Sequence, residues 1–251
     1  MTRCRNAKGR GLLGLALCMC GWQTASAAAL SLVPVRIALT DKQPISAITV
    51  RNDGDEATVV QLEVSQWSQA DGKDVYAATA EILATPPIFT VPPGGSQLVR
   101  IGLRRAADAE QELTYRVFLQ EIPPPPTPGF KGLHVALRFG VPVFVAAAKA
   151  KRDVAPVAAL QWRTHVVPGT GLTLTADNTA AAHVQVTRFN LTLPADSKML
   201  AERKAPKYIL PGQHGDWQIE LTPAPVAGTS LHVSAETDAG SVEADVMVEA
   251  P

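Results

Sequence analysis

The sequence predicts an all-β protein made of two sandwich domains. Three observations carry this: apolar residues recur every second position in short runs, turn-forming residues separate the runs, and the pattern lapses once, near residue 150. Each half is then about 100 to 120 residues, the size of an immunoglobulin-like sandwich. A chain of 251 residues with 46% hydrophobic and 18% charged content is long and apolar enough to fill two such cores.

The first segment is set apart. Arg3, Arg5, Lys8 and Arg10 precede an apolar stretch from Gly11 to Trp22, and small residues follow up to Ala28. This is the anatomy of a cleaved secretory signal peptide over residues 1–28, since a run of about a dozen apolar residues falls short of the ~20 that span a bilayer. No later segment is suited to membrane insertion. Cys4, Cys18 and Cys20 all lie in this leader, so the mature chain is expected to be free of cysteine. Loss of the leader leaves 19 basic residues against 23 acidic ones, a mildly acidic balance with no basic run, which argues against a nucleic-acid partner.

In the first domain, placed at 29–148, Val33, Val35, Ile37 and Leu39 alternate, followed by Ile48 and Val50, then Val60, Leu62 and Val64. Asn52-Asp53-Gly54-Asp55 supplies a turn, because Asn and Gly tolerate positive φ. Pro86-Pro87 and Pro92-Pro93-Gly94-Gly95 bracket Ile88 and Phe89; Val99, Ile101 and Leu103 follow, then Tyr115, Val117 and Leu119. The proline-rich stretch Pro123–Pro128 reads as a stiff loop leading into the next strand. After a linker at 149–156, the second domain at 157–251 shows alternation at Leu172 and Leu174, Val184 and Val186, Leu191 and Leu193, Trp217, Ile219 and Leu221, Leu231 and Val233, and Val246 and Val248.

One strand stands out. From Leu133 to Val143, alternation puts Leu133, Val135, Leu137, Phe139, Val141 and Val143 on one face, opposite His134, Ala136, Arg138, Gly140 and Pro142. Pro142 cannot donate to a ladder, so it belongs at an edge, at a bulge, or where pairing stops. A long apolar row on an edge strand is a hazard that proteins normally suppress. Retained, it suits strand donation: a partner lacking a strand gains a backbone ladder and fills its groove with alternate side chains. Burying four or five of them would contribute on the order of 6 to 15 kcal/mol before ordering and association costs. Periodicity fits equally an ordinary strand whose apolar face lies in its own core.

Several segments together resemble the periplasmic pilus-assembly chaperones that act with an outer-membrane usher. They are Leu32-Val33-Pro34-Val35-Arg36, the Val50–Gly54 strand and turn, Tyr115–Pro123, Val135–Leu137 with Pro142–Val145, Asp177-Asn178-Thr179 and Tyr208–Gly212. The resemblance implies two immunoglobulin-like domains in a boomerang, with a cleft between them and a donor strand closing the first. It implies pilus subunits and an usher as partners, with Leu133, Val135, Leu137, Phe139 and Val141 entering the subunit groove. It further implies basic residues in the cleft that hold the subunit's C-terminal carboxylate, for which an arginine fork is suited. Arg36 matches the family's basic residue on the first strand, whereas the lysine that many members carry on the donor strand is replaced at about Pro142. Arg100 and Arg116 are candidates to take its place, with Arg138 behind them.

Other chemistry finds little support. His134, His165, His183, His214 and His232 show no metal-ligand spacing, and neither a phosphate loop nor a serine elbow occurs, so neither cofactor nor enzymatic activity is expected. The alternative reading is a structural or adhesive two-sandwich component of a surface assembly.

Overall fold

The computed structural model describes residues 30–125, 135–149, 159–194 and 198–250. The expected leader and linker therefore lie outside the described residues, apart from Lys149 at the linker's edge, and so do Leu133 and His134.

In the first half a four-stranded sheet packs on a six-stranded one. The former joins β1 (Leu30–Val33), β3 (Ile45–Asn52), β8 (Ser96–Leu103) and β6 (Ile82–Thr85), in that order. The latter runs β2 (Ile37–Leu39), β10 (Arg138–Val145), β9 (Leu113–Ile122), β4 (Thr58–Ala70) and β5 (Lys73–Ala78), with β7 (Ile88–Val91) sharing the β4 edge. Inward residues of both sheets, among them Ile48, Val50, Val99, Ile101, Val60, Val117 and Leu119, make one core with less than 1% exposure at most positions. The first alternating run is not one strand. Val33 and Val35 are 68% and 71% exposed, because the chain leaves β3 at Pro34 and crosses to the other sheet, where β2 pairs in parallel with the end of β10.

The second half comprises β11 (Leu160–Val167), β12 (Gly171–Asn178), β13 (Val184–Leu193), β14 (Lys198–Ile209), β15 (His214–Glu220), β16 (Ser230–Thr237) and β17 (Gly240–Glu249). Strands β14, β13, β16 and β17 form one layer and β11, β12 and β15 the other. The two layers join where β17 pairs in parallel with β11 at Thr164 and His165. Leu174, Phe189, Leu191, Leu231 and Val233 fill a second core between them. Gly171 is obligatory at its corner: at φ 142° an added Cβ would lie 2.0 Å from the Ile219 carbonyl oxygen.

The Asn52 turn falls where expected but not through positive φ, which neither Asn52 nor Gly54 adopts; the asparagine side chain makes it instead. Asn52 is 1% exposed; its side-chain oxygen accepts from Gly54 N–H and its amide donates to the carbonyls of Glu56 and Val91. Asn178 repeats the device, accepting from Ala180 N–H and donating to Ala182 and Ile209. A buried amide that satisfies backbone groups on both sides of a turn fixes where the strand ends.

The long apolar run departs from expectation. Its strand begins at Arg138 rather than Leu133, and Val141, Val143 and Val145 are at most 2% exposed in the core of their own domain. Val141 is therefore withdrawn from the groove-filling set, since it already closes the chain's own sandwich. Phe139 is half-buried against the same core.

Candidate functional site

Strand β10 is paired unevenly. Along its length it is antiparallel to β9, but β2 covers only Val143–Val145, so among the described strands none pairs with its other edge from Arg138 to Pro142. The Glu121 amide donates to the Leu137 carbonyl, which sets the alternation: odd-numbered residues bond toward β9, and the N–H and C=O of Arg138 and Gly140 face the open edge. Pro142 thus sits where its missing N–H costs no ladder bond. Just upstream, Val135 is 63% exposed and Leu137 half-buried.

The outer face of the same sheet turns toward the second domain. Across it Arg36 precedes Ile37, the register partner of Val143, and Pro142 is opposite Arg116, so Pro142 separates the two arginine positions. Their backbones are roughly 10 Å apart across two strand spacings. The Arg116 guanidinium lies over the Trp67 ring at 4.1 Å from its centroid, as a cation–π pair. Trp67 in turn meets Tyr208 edge-on at 5.5 Å and Phe144 at 5.9 Å, and Leu210 completes an aromatic seam between the domains. Gly140 is needed here: a Cβ would come within 3.2 Å of both Arg116 Cδ and Phe118 Cε1.

Two polar devices hold the seam. The Gln69 side-chain amide, near the end of β4, donates to the Tyr208 carbonyl at 2.9 Å and accepts from Leu210 N–H at 3.0 Å. Nearby, Glu112 accepts from the backbone N–H of His183 and contacts its Nδ1 at 2.7 Å, while Nε2 of His183 is 3.5 Å from Asp238, which also binds Arg36 at 2.5 Å. The imidazole stacks on Phe144 with centroids 3.5 Å apart. Burial opposes charge on His183, yet the contacts with Asp238 and Glu112 outweigh it and raise its pKa.

Between these devices lies a groove of about 600 Å³ lined by Trp67, Lys73, Arg116, Gln185, Lys207 and Tyr208, among others. Trp67 and Arg116 of the lining each carry a buried donor, Nε1 and Nε, that has no hydrogen-bond partner among the described residues. Unpaired donors are costly in a folded protein and mark places where a ligand completes the bonding. With Lys73, Arg116 and Lys207 against one carboxylate, Asp74, the groove is net positive and favours an anion.

Residues 29–150 match the family model described as pili and flagellar-assembly chaperone, PapD N-terminal domain. The chain's first domain thus matches the N-terminal domain of the pilus-assembly chaperones. No curated protein matches its sequence. Among solved structures it is similar to a chain of the CsuC–CsuE chaperone–tip adhesion subunit complex of archaic Csu pili from Acinetobacter baumannii. That match has 18% identity and a TM-score of 0.64 over 89% of this chain and 100% of the other. It is also similar to the Salmonella enterica SafA pilin–SafB chaperone complex, with 18% identity and a TM-score of 0.59 over 88% and 96%. A third is the Pseudomonas aeruginosa CupB2 chaperone, at 15% and 0.57 over 86% and 98%. At such identities the likeness speaks for the two-domain fold.

The arginines predicted from sequence are not together. Arg36 and Arg116 share the outer face of the six-stranded sheet, beside the second domain. Arg100 lies on β8 between inward Val99 and Ile101, so it projects from the outer face of the other sheet. The sandwich separates it from Arg116, and one carboxylate cannot meet both; Arg100 is therefore withdrawn as an anchor. Arg138 lies over the Phe118 ring at 4.2 Å and pairs with Glu63 at 2.9 Å, further from the second domain. Trp67, Gln69 and the Glu112–His183–Asp238 cluster were not singled out from sequence, and Tyr208 entered only as the start of the Tyr208–Gly212 segment, not as a site residue. Only the tryptophan, as a large ring in a strand next to alternating valines, carried a local signal.

Proposed function

We propose that this chain is a periplasmic chaperone that captures pilus subunits by strand donation and hands them to an outer-membrane usher. The observation that carries this reading is the open edge of β10 from Arg138 to Pro142, entered by the exposed Val135 and half-buried Leu137. A subunit lacking a strand pairs with the outward backbone groups of Arg138 and Gly140 and takes Val135 and Leu137 into its groove. Burying the two described side chains contributes about 2 to 5 kcal/mol, and the backbone ladder adds to it. The subunit's C-terminal carboxylate reaches Arg116, which lines the groove, with Arg36 two strands away. Association is stoichiometric and uses no nucleotide, because the subunit's later exchange onto a better-fitting strand drives release. A cleaved leader over residues 1–28 delivers the chain to the periplasm.

The test is co-purification from the periplasm with the pilus subunits of its own assembly system. Leu137→Asp keeps the chaperone folded, since Leu137 lies before the strand, and lowers subunit capture at least tenfold. Loss of the fold in Leu137→Asp, or undiminished capture by a folded variant, contradicts donation through this residue.

A further inference from the structure

The second domain also reaches the groove. Tyr208 lies on β14, and its ring is held on three sides: edge-on to Trp67 at 5.5 Å, tilted on Phe144 at 5.6 Å, and tilted on the His183 imidazole at 5.7 Å. Its backbone carbonyl is fixed by Gln69. It lines the groove together with Arg116, and the charges of Arg36 and Arg116 both act on its hydroxyl. Tyr208 thus shares the groove with Arg116 from the second domain, within reach of the charge of Arg36 as well.

We propose that the Tyr208 hydroxyl is a third ligand of the subunit's C-terminal carboxylate, completing from the second domain the site that Arg36 and Arg116 open from the first. This rests on the anchor reading above. The chemistry is consistent: a phenol oxygen can accept from a neighbouring arginine N–H while its own O–H donates to a carboxylate oxygen. A neighbouring cation polarises that O–H and strengthens the bond it makes. Burial, the largest influence, keeps the phenol protonated and outweighs the opposing pull of Arg36 and Arg116, so the group remains a donor. The carboxylate site is whole only while the domains are docked, which gives the seam a role in client binding.

The probe is the N-acetylated tripeptide Ala-Val-Val with a free C-terminal carboxylate, compared with its carboxamide. The chain has only three tyrosines, Tyr76, Tyr115 and Tyr208, so 3-fluorotyrosine labelling gives few ¹⁹F signals, assigned by Tyr→Phe variants. The Tyr208 signal is expected to move with the carboxylate peptide and not with the amide. Tyr208→Phe, which deletes only the oxygen, is expected to weaken the carboxylate peptide about fivefold to tenfold and leave the amide unchanged. Arg116→Gln abolishes the preference for carboxylate. If Arg116→Gln abolishes the preference while Tyr208→Phe leaves it intact, the Tyr208 assignment is overturned and the arginine anchor stands. If wild type shows no preference, or Arg116→Gln and Arg36→Gln both keep it, the anchor reading fails and the Tyr208 assignment with it.

Discussion

Replacing Asp238 with asparagine removes one charge from the seam between the domains and leaves the shape almost unchanged. Its Oδ1 accepts from Gln185 N–H at 2.8 Å, a bond that an asparagine oxygen keeps; its Oδ2 serves Arg36 and faces His183. Burial alone would raise the carboxyl's pKa, but His183, the Gln185 amide and Arg36 together hold it at about 2, against an ordinary 3.8. A depressed carboxylate stabilises the fold above its ordinary pKa, and that stabilisation is lost as pH falls through the lowered value. A shift of nearly two units, at ~1.4 kcal/mol per unit, makes Asp238→Asn about 2 kcal/mol less stable than wild type at pH 7. Urea unfolding measured from pH 7 down to about pH 2 follows this. The deficit should shrink as pH falls below 3.8 and vanish near the bottom of the range. A deficit of the same size at both ends, or none at pH 7, refutes the electrostatic account of the seam.

Three other perturbations test different parts of the structure. His183 has a raised pKa, so its contribution is full below the ordinary 6.5 and is lost as pH rises through the raised value. With Glu112, Asp238, Arg36 and Tyr208 around it, wild type should lose thermal stability on going from about pH 6 to pH 8, and His183→Gln should flatten that fall. Gln69→Leu leaves Leu210 N–H and the Tyr208 carbonyl without their side-chain partner, which costs about 2 to 5 kcal/mol. Calorimetry should show the two domains melting apart in Gln69→Leu, whereas one unchanged transition would contradict the latch. Gly140→Leu places a side chain where Arg116 and Phe118 cross, so it should lower subunit capture about tenfold with a melting temperature within a few degrees of wild type. Capture equal to wild type would mean that the Arg116 position does not matter.

The sandwich architecture was legible because alternation reports which face of a strand is buried, and Asn52 and Asn178 announce strand ends through a short side chain that bonds the backbone of its own turn. Alternation does not report what a face is buried against. Val135 and Val141 look alike in the sequence, yet one is largely exposed and the other lies in its own core. The same limit separates Arg100 from Arg116. Both are outward residues between inward neighbours, and only the pairing of β8 with β3 and of β9 with β4 puts them on opposite sides of the sandwich. The seam was hidden for a different reason: Gln69, Glu112, His183 and Asp238 are far apart in sequence, and their meeting depends on how two completed domains dock.

The central claim is that a partner strand takes up the open edge of β10. Amide hydrogen exchange followed by NMR at Arg138 and Gly140, with and without a bound pilus subunit, addresses it directly. The account predicts rapid exchange at both amides in the free chaperone and strong protection in the complex, while the amides of Phe139 and Val141, already paired with β9, change little. Exchange at Arg138 and Gly140 that stays rapid in the complex would contradict strand donation along this edge.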